Sequence, residues 1–147
     1  MKKNLGLMTK RLILQVLDDS WAKAVLTYFD RNRDYLERWE PARQHGFYTR
    51  KIQAEHLVSD LKAMEAGQMV RLWIFQKEDP HTVIGSVALN NIVRGCFLSC
   101  CMGYRLDRDL TGNGYMTEAA GALVDFAFDT LGLHRIEANI IPRNTPS

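Results

Sequence analysis

Residues 109–135 read DLTGNGYMTEAAGALVDFAFDTLGLHR, and the rest of the fold is worked out from this stretch. Gly112 and Gly114 flank one asparagine, and an apolar repeat of helical period follows them. Glycine permits a sharp backbone turn, and the first N–H groups of a helix have no partner inside the helix. These N–H groups and the helix dipole favour an anion such as a phosphate. The stretch therefore predicts a long helix that begins at either an anion-binding turn or an ordinary glycine-containing strand-to-helix turn.

The surrounding elements exclude two nucleotide-binding motifs. No Gly-Lys-Ser or Gly-Lys-Thr follows the glycines, which excludes a P-loop. The helix also comes late in the chain, after an antiparallel meander, whereas a dinucleotide-binding fold opens with a parallel unit. Periodicity and chain breakers predict strands over 11–17, 70–75, 83–89, 96–106 and 135–141, and helices over 21–28, 33–39, 51–66 and 116–131. Trp73 and Phe75 alternate along the second of these strands and are predicted to lie in the core.

The composition indicates one globular domain over residues 1–147. Hydrophobic residues make up 46% of the chain and charged residues 24%, which is not the balance of a membrane protein. A net charge of +2 gives no argument for a nucleic-acid partner. Thr9, Lys10 and Arg11 interrupt the N-terminal apolar stretch before it reaches the length of a signal-peptide core, so we expect a cytoplasmic protein.

The cysteines are expected to be reduced and to bind no metal. Cys96, Cys100 and Cys101 are odd in number and lie within one short segment, unlike a disulfide framework. Neighbouring cysteines on an extended segment point to opposite faces, and no histidine lies at ligand spacing. The sequence therefore predicts no metal site.

Several segments together identify a family. A strand ending in MGYRL at 102–106, the loop TGNGYMTEA at 111–119, a long helix and a strand ending in NIIPRNTPS resemble the GNAT N-acetyltransferases. Within that superfamily, the segments TKRLILQ, ERWEP and VIGSVALNNIVRG are most similar to the RimJ and RimL branch, which acetylates N-terminal residues of ribosomal proteins. The resemblance implies an α+β fold with a mixed, mostly antiparallel central sheet flanked by helices.

The resemblance also implies acetyl-coenzyme A as co-substrate and assigns residues to it. The family's pyrophosphate loop, whose backbone N–H groups bind the phosphates, matches Gly112, Asn113, Gly114, Tyr115, Met116 and Thr117. The strand end that pairs with the pantetheine arm matches Tyr104, Arg105 and Leu106. An Asn-x-x-Ser pattern, in which the asparagine contacts pantetheine and the serine lies near the thioester sulfur, matches Asn144 and Ser147.

The sequence departs from the family pattern in two ways. The loop usually begins with Gln or Arg, and here that position is Asp109, for which Arg108 or Arg105 is expected to compensate. Relatives continue with a helix and two further strands, so the resemblance implies a C-terminally truncated domain that lacks the last strands of the sheet. The edge of the final strand would then be unpaired, which favours a homodimer formed through that edge.

The chemistry of acetyl transfer suggests candidate catalytic residues. The amine attacks the thioester directly, so no covalent enzyme intermediate is needed, and a backbone N–H on 102–106 is expected to stabilise the oxyanion. Glu40 is the candidate base, because Trp39 and Pro41 would reduce its hydration and make it a better proton acceptor. Ser147 is the candidate acid for the departing thiolate, and Tyr104 is the second. Glu40 as a solvated carboxylate and Ser147 as a helix N-cap are the alternatives.

Three functions are compatible with the sequence. The first is acetylation of the α-amine of a ribosomal or other protein, and the second is acetylation of a small amine such as an antibiotic or a polyamine. The third is a non-catalytic module that binds acyl-coenzyme A. A basic rim around the acceptor cleft would favour the polypeptide, since it repels polycations, and it is predicted from Arg31, Arg33, Arg38, Arg43, Arg50 and Lys51.

Overall fold

A six-stranded sheet, with its strands in sequence order, organises the computed structural model, which describes residues 5–140 and residue 147. Neighbouring strands are antiparallel except for the last pair, which is parallel. This arrangement confirms the expected mixed, mostly antiparallel sheet. The strands are β1 (Gly6–Met8), β2 (Leu12–Gln15), β3 (Val70–Gln76), β4 (Gly85–Val93), β5 (Ser99–Leu106) and β6 (Arg135–Glu137).

Four α-helices flank the sheet in the described part of the chain. The third begins where the Thr49 hydroxyl accepts a hydrogen bond from the Ile52 N–H at 3.3 Å, a typical N-cap. None of the described helices has the length and apolar content needed to cross a bilayer. The helices are α1 (Ala22–Arg31), α2 (Arg33–Glu37), α3 (Arg50–Glu65) and α4 (Tyr115–Asp129), with 3-10 turns over Asp19–Trp21 and Arg108–Leu110.

The structure differs from the predicted elements at several strands, and β4 spans Gly85–Val93 rather than residues 83–89. Strand β1 was not predicted, because it is short and Met8 on it is 70% exposed, so no apolar alternation marks it. Strand β5 begins at Ser99 rather than at residue 96, since Leu98 has a φ of 45° and ends the preceding turn. The final strand was predicted to reach residue 141, which lies outside the described residues, and its pairing stops at Glu137.

The sheet separates two hydrophobic clusters, as strand alternation requires. One face packs against α4, with Leu72 and Val87 buried beside Leu123. The other face packs against α1 and α3, and Trp73 and Phe75 are buried there as the sequence predicted. Side chains on one face of β5 therefore lie on the side of α4, and those on the other face lie on the side of α1 and α3.

Gly85 is required by the close approach of β4 to β5. A Cβ atom added at Gly85 would lie 2.3 Å from the Arg105 carbonyl oxygen. We expect Gly85→Ala to lower the free energy of unfolding by about 1–3 kcal/mol, because backbone atoms must move to admit the methyl group. Gly121→Ala is the control, since Gly121 lies exposed in α4 with nothing within 4 Å of an added Cβ. It should raise that free energy by about 0.5–1 kcal/mol. Urea unfolding measures both, and equal effects would contradict the packing described here.

Candidate active site

A cleft of about 560 Å³ opens where β5 and β6 separate. The two strands pair only over Ser99–Cys101 on β5, and no described strand covers Met102–Leu106 on that side. Met102–Leu106 lines one wall of the cleft, and Asn139 and Ile140 line it further along. An unpaired strand edge offers N–H and C=O groups to any extended, amide-containing ligand.

The glycine turn closes one end of this cleft. Gly112 and Gly114 have φ angles of 81° and 79°, a region that favours glycine. The first hydrogen bond of α4 runs from the Glu118 N–H to the Gly114 carbonyl at 3.0 Å. No described residue accepts a hydrogen bond from the N–H groups of 112–117. The turn therefore has the geometry of an anion site, and the helix dipole adds a partial positive charge.

Arg11, directly before β2, links this turn to the start of that strand. The sequence analysis missed this role. Its Nη1 donates to the Asn113 carbonyl oxygen at 3.0 Å, and its Nε donates to Glu118 Oε1 at 2.8 Å. The guanidinium also lies 4.4 Å from the centre of the Tyr115 ring. Arg11 and Glu118 are 107 residues apart, so no local pattern marks the pair.

Glu118 is held as an anion in this cluster. Burial raises the pKa of its carboxyl, but hydrogen bonds from the Thr9 hydroxyl and from the Arg11 N–H and guanidinium lower it from 4.5 to about 2. Because the pKa of Glu118 is lower in the folded than in the unfolded chain, its ionised carboxyl stabilises the folded state at pH values above about 4.5. This contribution is lost as the pH falls toward 2. The cluster is therefore fully formed at neutral pH.

Glu40 lies in the same cleft, in surroundings different from those expected. The sequence analysis based its role on the apolar neighbours Trp39 and Pro41, whereas the structure places two guanidinium groups on the carboxylate. Arg105 Nε lies 3.0 Å from Glu40 Oε1, and Arg43 pairs with Oε2. The Glu40 side chain is 17% exposed, so this cluster is shielded but reachable from the cleft.

The expectation that Arg105 compensates for Asp109 is wrong. Arg105 pairs across the sheet with Ser86, so its side chain lies on the face opposite α4. There it contacts Glu40 and lies 5.3 Å from the centre of the Phe29 ring, where burial lowers its pKa and the Glu40 charge raises it. Only the backbone of Arg105 remains available to a ligand in the opened strand edge. Arg108 is exposed beside Asp109, so it stays the residue predicted to compensate for that acid.

The two candidate acids are close together. The Tyr104 hydroxyl donates to a main-chain oxygen of Ser147 at 3.2 Å, and both residues line the cleft. Asn144, assigned to pantetheine by resemblance, lies outside the described residues. Most residues that the resemblance assigned to coenzyme A also line the cleft. They are Tyr104, Arg105, Leu106, Gly112, Gly114, Tyr115, Met116 and Thr117. Asn113, between the two glycines, does not line the cleft, and its carbonyl oxygen accepts the hydrogen bond from Arg11 Nη1.

The expected basic rim is partly neutralised. The remaining wall of the cleft consists of Tyr35, Leu36 and Trp39 near α2 and of strand residues that include Arg71 and Asn90. Among the basic residues expected there, the structure pairs three with acids, as Arg31 with Asp107, Arg33 with Glu37 and Arg43 with Glu40. Net positive charge is therefore a weaker argument about the acceptor than the sequence suggested.

Nothing in the described residues resembles a metal site. No group of three or more His, Cys, Asp or Glu side chains with the arrangement of metal ligands occurs within 5–140 and 147. Cys96 is exposed, Cys100 is buried and Cys101 is half-buried, and all three thiols are free.

Comparison with known proteins identifies the family. The chain matches the acetyltransferase (GNAT) domain over residues 11–147, and it therefore belongs to the GNAT acetyltransferase family. It is 35% identical to the probable N-acetyltransferase YjcK of Bacillus subtilis over 138 residues, which are 94% of this chain and 76% of YjcK. It is thus shorter than this relative.

Two solved structures are similar to the whole fold. The ribosomal-protein-S5-alanine acetyltransferase from Vibrio fischeri superposes with a TM-score of 0.90 at 31% identity, over 97% of this chain and 78% of the other. Mycobacterium smegmatis RimJ, in complex with a CoA-disulfide, superposes with a TM-score of 0.85 at 25% identity, over 92% and 65%. The α+β acetyltransferase fold and the likeness to ribosomal-protein acetyltransferases are therefore confirmed.

The glycine turn gives a test by substitution. Gly112→Val and Gly114→Val should each weaken coenzyme A binding at least tenfold by calorimetry, because a β-branched residue disfavours a positive φ and blocks the approach of a phosphate. Gly95→Val is the matched control, since Gly95 has a φ of 80° in the turn between β4 and β5, with nothing near an added Cβ. It should leave the affinity within twofold. Equal affinities in all three variants would contradict a phosphate site at this turn.

Proposed function

We propose that this N-acetyltransferase transfers the acetyl group of acetyl-coenzyme A to the α-amine of a protein N-terminus. The observation that carries the reaction is the cleft in which a strand edge leads to a glycine turn, and among the described residues neither that edge nor the N–H groups of the turn have a partner. The acceptor assignment is supported by the 31% identity with a ribosomal-protein-alanine acetyltransferase over 97% of this chain. The ordered cleft and its polar groups favour an enzyme over a non-catalytic acyl-coenzyme A-binding module.

The cofactor would lie along the cleft in two parts. The diphosphate would accept hydrogen bonds from the N–H groups of 112–117 at the start of α4. The pantetheine arm would pair with the free edge of Met102–Leu106, as one more strand of the sheet. This alignment brings the thioester toward the end of the cleft that α2 and Glu40 border.

The transfer itself needs few protein groups. A protein α-amine with a pKa of about 8 is roughly one-tenth neutral at pH 7, whereas a lysine side chain is almost fully charged. The neutral amine would attack the thioester carbon, and a backbone N–H on 102–106 would donate to the oxygen as negative charge develops there. The bond to sulfur then breaks, and Tyr104 or Ser147 would give a proton to the thiolate.

Glu40 is proposed to take the proton that the amine loses. Its carboxylate is oriented by Arg105 and Arg43, so the transfer requires one of these pairs to open or a water molecule to mediate. The arginine pairs also give Glu40 a structural role, because they connect the segment after α2 to β5. Its catalytic and structural contributions must therefore be measured separately.

Glu40→Gln separates the two roles, because the amide keeps the shape but cannot accept the proton. We expect kcat to fall about 10²-fold or more with coenzyme A affinity within threefold. Glu37→Gln is the control, since Glu37 lies on α2, is 43% exposed and pairs with Arg33. It should leave kcat within twofold. Urea unfolding reports any loss of stability, and an unchanged kcat and pH–rate profile in Glu40→Gln would remove Glu40 from the mechanism.

A small amine is the second candidate acceptor. The pairing of Arg31, Arg33 and Arg43 with acids favours it, because the cleft then repels a polycation less strongly than the sequence suggested. A non-catalytic module would transfer acetyl to neither kind of acceptor. These functions differ in which amine becomes labelled.

An acceptor panel distinguishes them. Labelled acetyl-coenzyme A is incubated with the protein and with short peptides of varied first residue, spermidine and an aminoglycoside. We expect label on the α-amine of peptides, with a preference set by the first residue, and α-acetylated peptides serve as the matched control. Labelling of spermidine or the aminoglycoside, with no peptide modified, would replace the proposal by the second candidate. Absence of transfer to every acceptor, with coenzyme A still bound, would favour a non-catalytic module.

A further inference from the structure

A cluster of three residues connects the start of β2 to the first turn of α4. The Thr9 hydroxyl pairs with Glu118 Oε2, and the Arg11 backbone N–H donates to the same oxygen at 2.9 Å. The Arg11 guanidinium donates to Glu118 Oε1 at 2.8 Å and to the Asn113 carbonyl at 3.0 Å. Glu118 thus receives three donors, and Arg11 reaches past it into the glycine turn.

The turn itself has little else to hold it. The side-chain amide of Asn113 donates only to the nearby Leu110 and Thr111 carbonyls. In the described part of the chain, the bond from Arg11 is the one hydrogen bond that residues 111–114 receive from outside 108–118. A Gly-Asn-Gly segment has high conformational freedom, so ordering it when a ligand binds would cost free energy.

We infer that Arg11, held by Glu118 and Thr9, is a positioning residue that keeps the N–H groups of the glycine turn directed at the cofactor diphosphate. This inference rests on the proposed binding of acetyl-coenzyme A in the cleft. A turn ordered in advance loses less entropy on binding, and its N–H groups converge on the phosphates without rearrangement. Nothing in the family resemblance assigned a role to this cluster.

The effect is geometric more than electrostatic. Arg11 and Glu118 form an ion pair, so their charges largely cancel at the turn. Arg11 Nη2 also lies beside Gly114, 3.4 Å from where a Cβ atom on that residue would be. Lysine keeps the charge of Arg11 but lacks the planar fork that reaches Asn113 and Glu118 at once. Charge and position can therefore be separated by Arg11→Lys.

The test compares two acetyl donors in steady-state kinetics. Acetyl-coenzyme A carries the diphosphate, and S-acetylpantetheine lacks it but presents the same thioester. For Arg11→Lys and Glu118→Gln, we expect the KM for acetyl-coenzyme A to rise at least tenfold, and the KM for S-acetylpantetheine and for the amine to stay within twofold. The double variant should be no worse than the poorer single one, because both changes break the same cluster.

Arg94→Lys is the matched control. Arg94 donates to the Leu131 carbonyl at 2.6 Å, so it also fastens the α4 region to the rest of the fold, away from the glycine turn. It should leave both KM values within twofold, and the conservative variant Thr9→Ser should behave in the same way. If Arg11→Lys keeps a normal KM for acetyl-coenzyme A, or raises the KM for both donors equally, the positioning role is wrong.

A different result would contradict the proposed binding of acetyl-coenzyme A in the cleft. A wild-type protein that shows no preference for acetyl-coenzyme A over S-acetylpantetheine would place the diphosphate elsewhere, and the inference would fall with that site. If Arg11→Lys does not fold, Glu118→Gln gives the same comparison, since it removes the charge that holds the Arg11 guanidinium and leaves Arg11 itself unchanged. An unchanged donor preference in a folded Glu118→Gln protein would overturn the inference.

Discussion

The separation of two parallel strands is the constraint on which the site depends. Strands β5 and β6 pair over Ser99–Cys101, and no strand of the described residues pairs with the rest of β5 on that side. An unpaired edge inside a sheet costs free energy unless other groups satisfy its N–H and C=O groups. A linear ligand with amide groups could supply them. The glycine turn and α4 follow this edge after a short 3-10 turn, and the N–H groups of 112–117 have no acceptor among the described residues.

Neighbouring side chains of β5 lie on opposite faces of the sheet and make different contacts. Tyr104 contacts Ser147, whereas Arg105 next to it passes through to the opposite face and orients Glu40. A single strand thus joins the edge proposed to bind the cofactor to the Glu40 cluster on the other face. Because Arg105 and Arg43 both hold Glu40, a change at any of these three residues is transmitted to the others. The Glu40 carboxylate thus offsets part of the charge of two arginines, so net charge alone is a weak argument about the proposed acceptor.

The parts of the fold that local patterns mark were predictable from the sequence. The spacing of apolar residues after Gly114 predicted α4, and the alternation of Trp73 and Phe75 placed both in the core. Strand alternation could also have predicted that the Arg105 side chain lies on the face opposite that of Tyr104, since neighbours on a strand point to opposite faces. The sequence analysis did not apply that rule to Tyr104 and Arg105, and so it kept Arg105 beside Arg108 as a residue that could compensate for Asp109. Contacts between residues distant in sequence left no such mark: the pairs of Arg11 with Glu118 and of Arg105 with Glu40 appear only in the folded chain.

The central claim is that coenzyme A lies along the free edge of β5 with its diphosphate on the glycine turn. Backbone amide signals in two-dimensional NMR, followed while coenzyme A is added, report directly on these N–H groups. The account predicts that the largest shifts fall on residues 112–117 and 102–106, with slower hydrogen exchange at the same amides. Binding of coenzyme A with those signals unmoved, and with the shifts grouped elsewhere on the sheet, would contradict it.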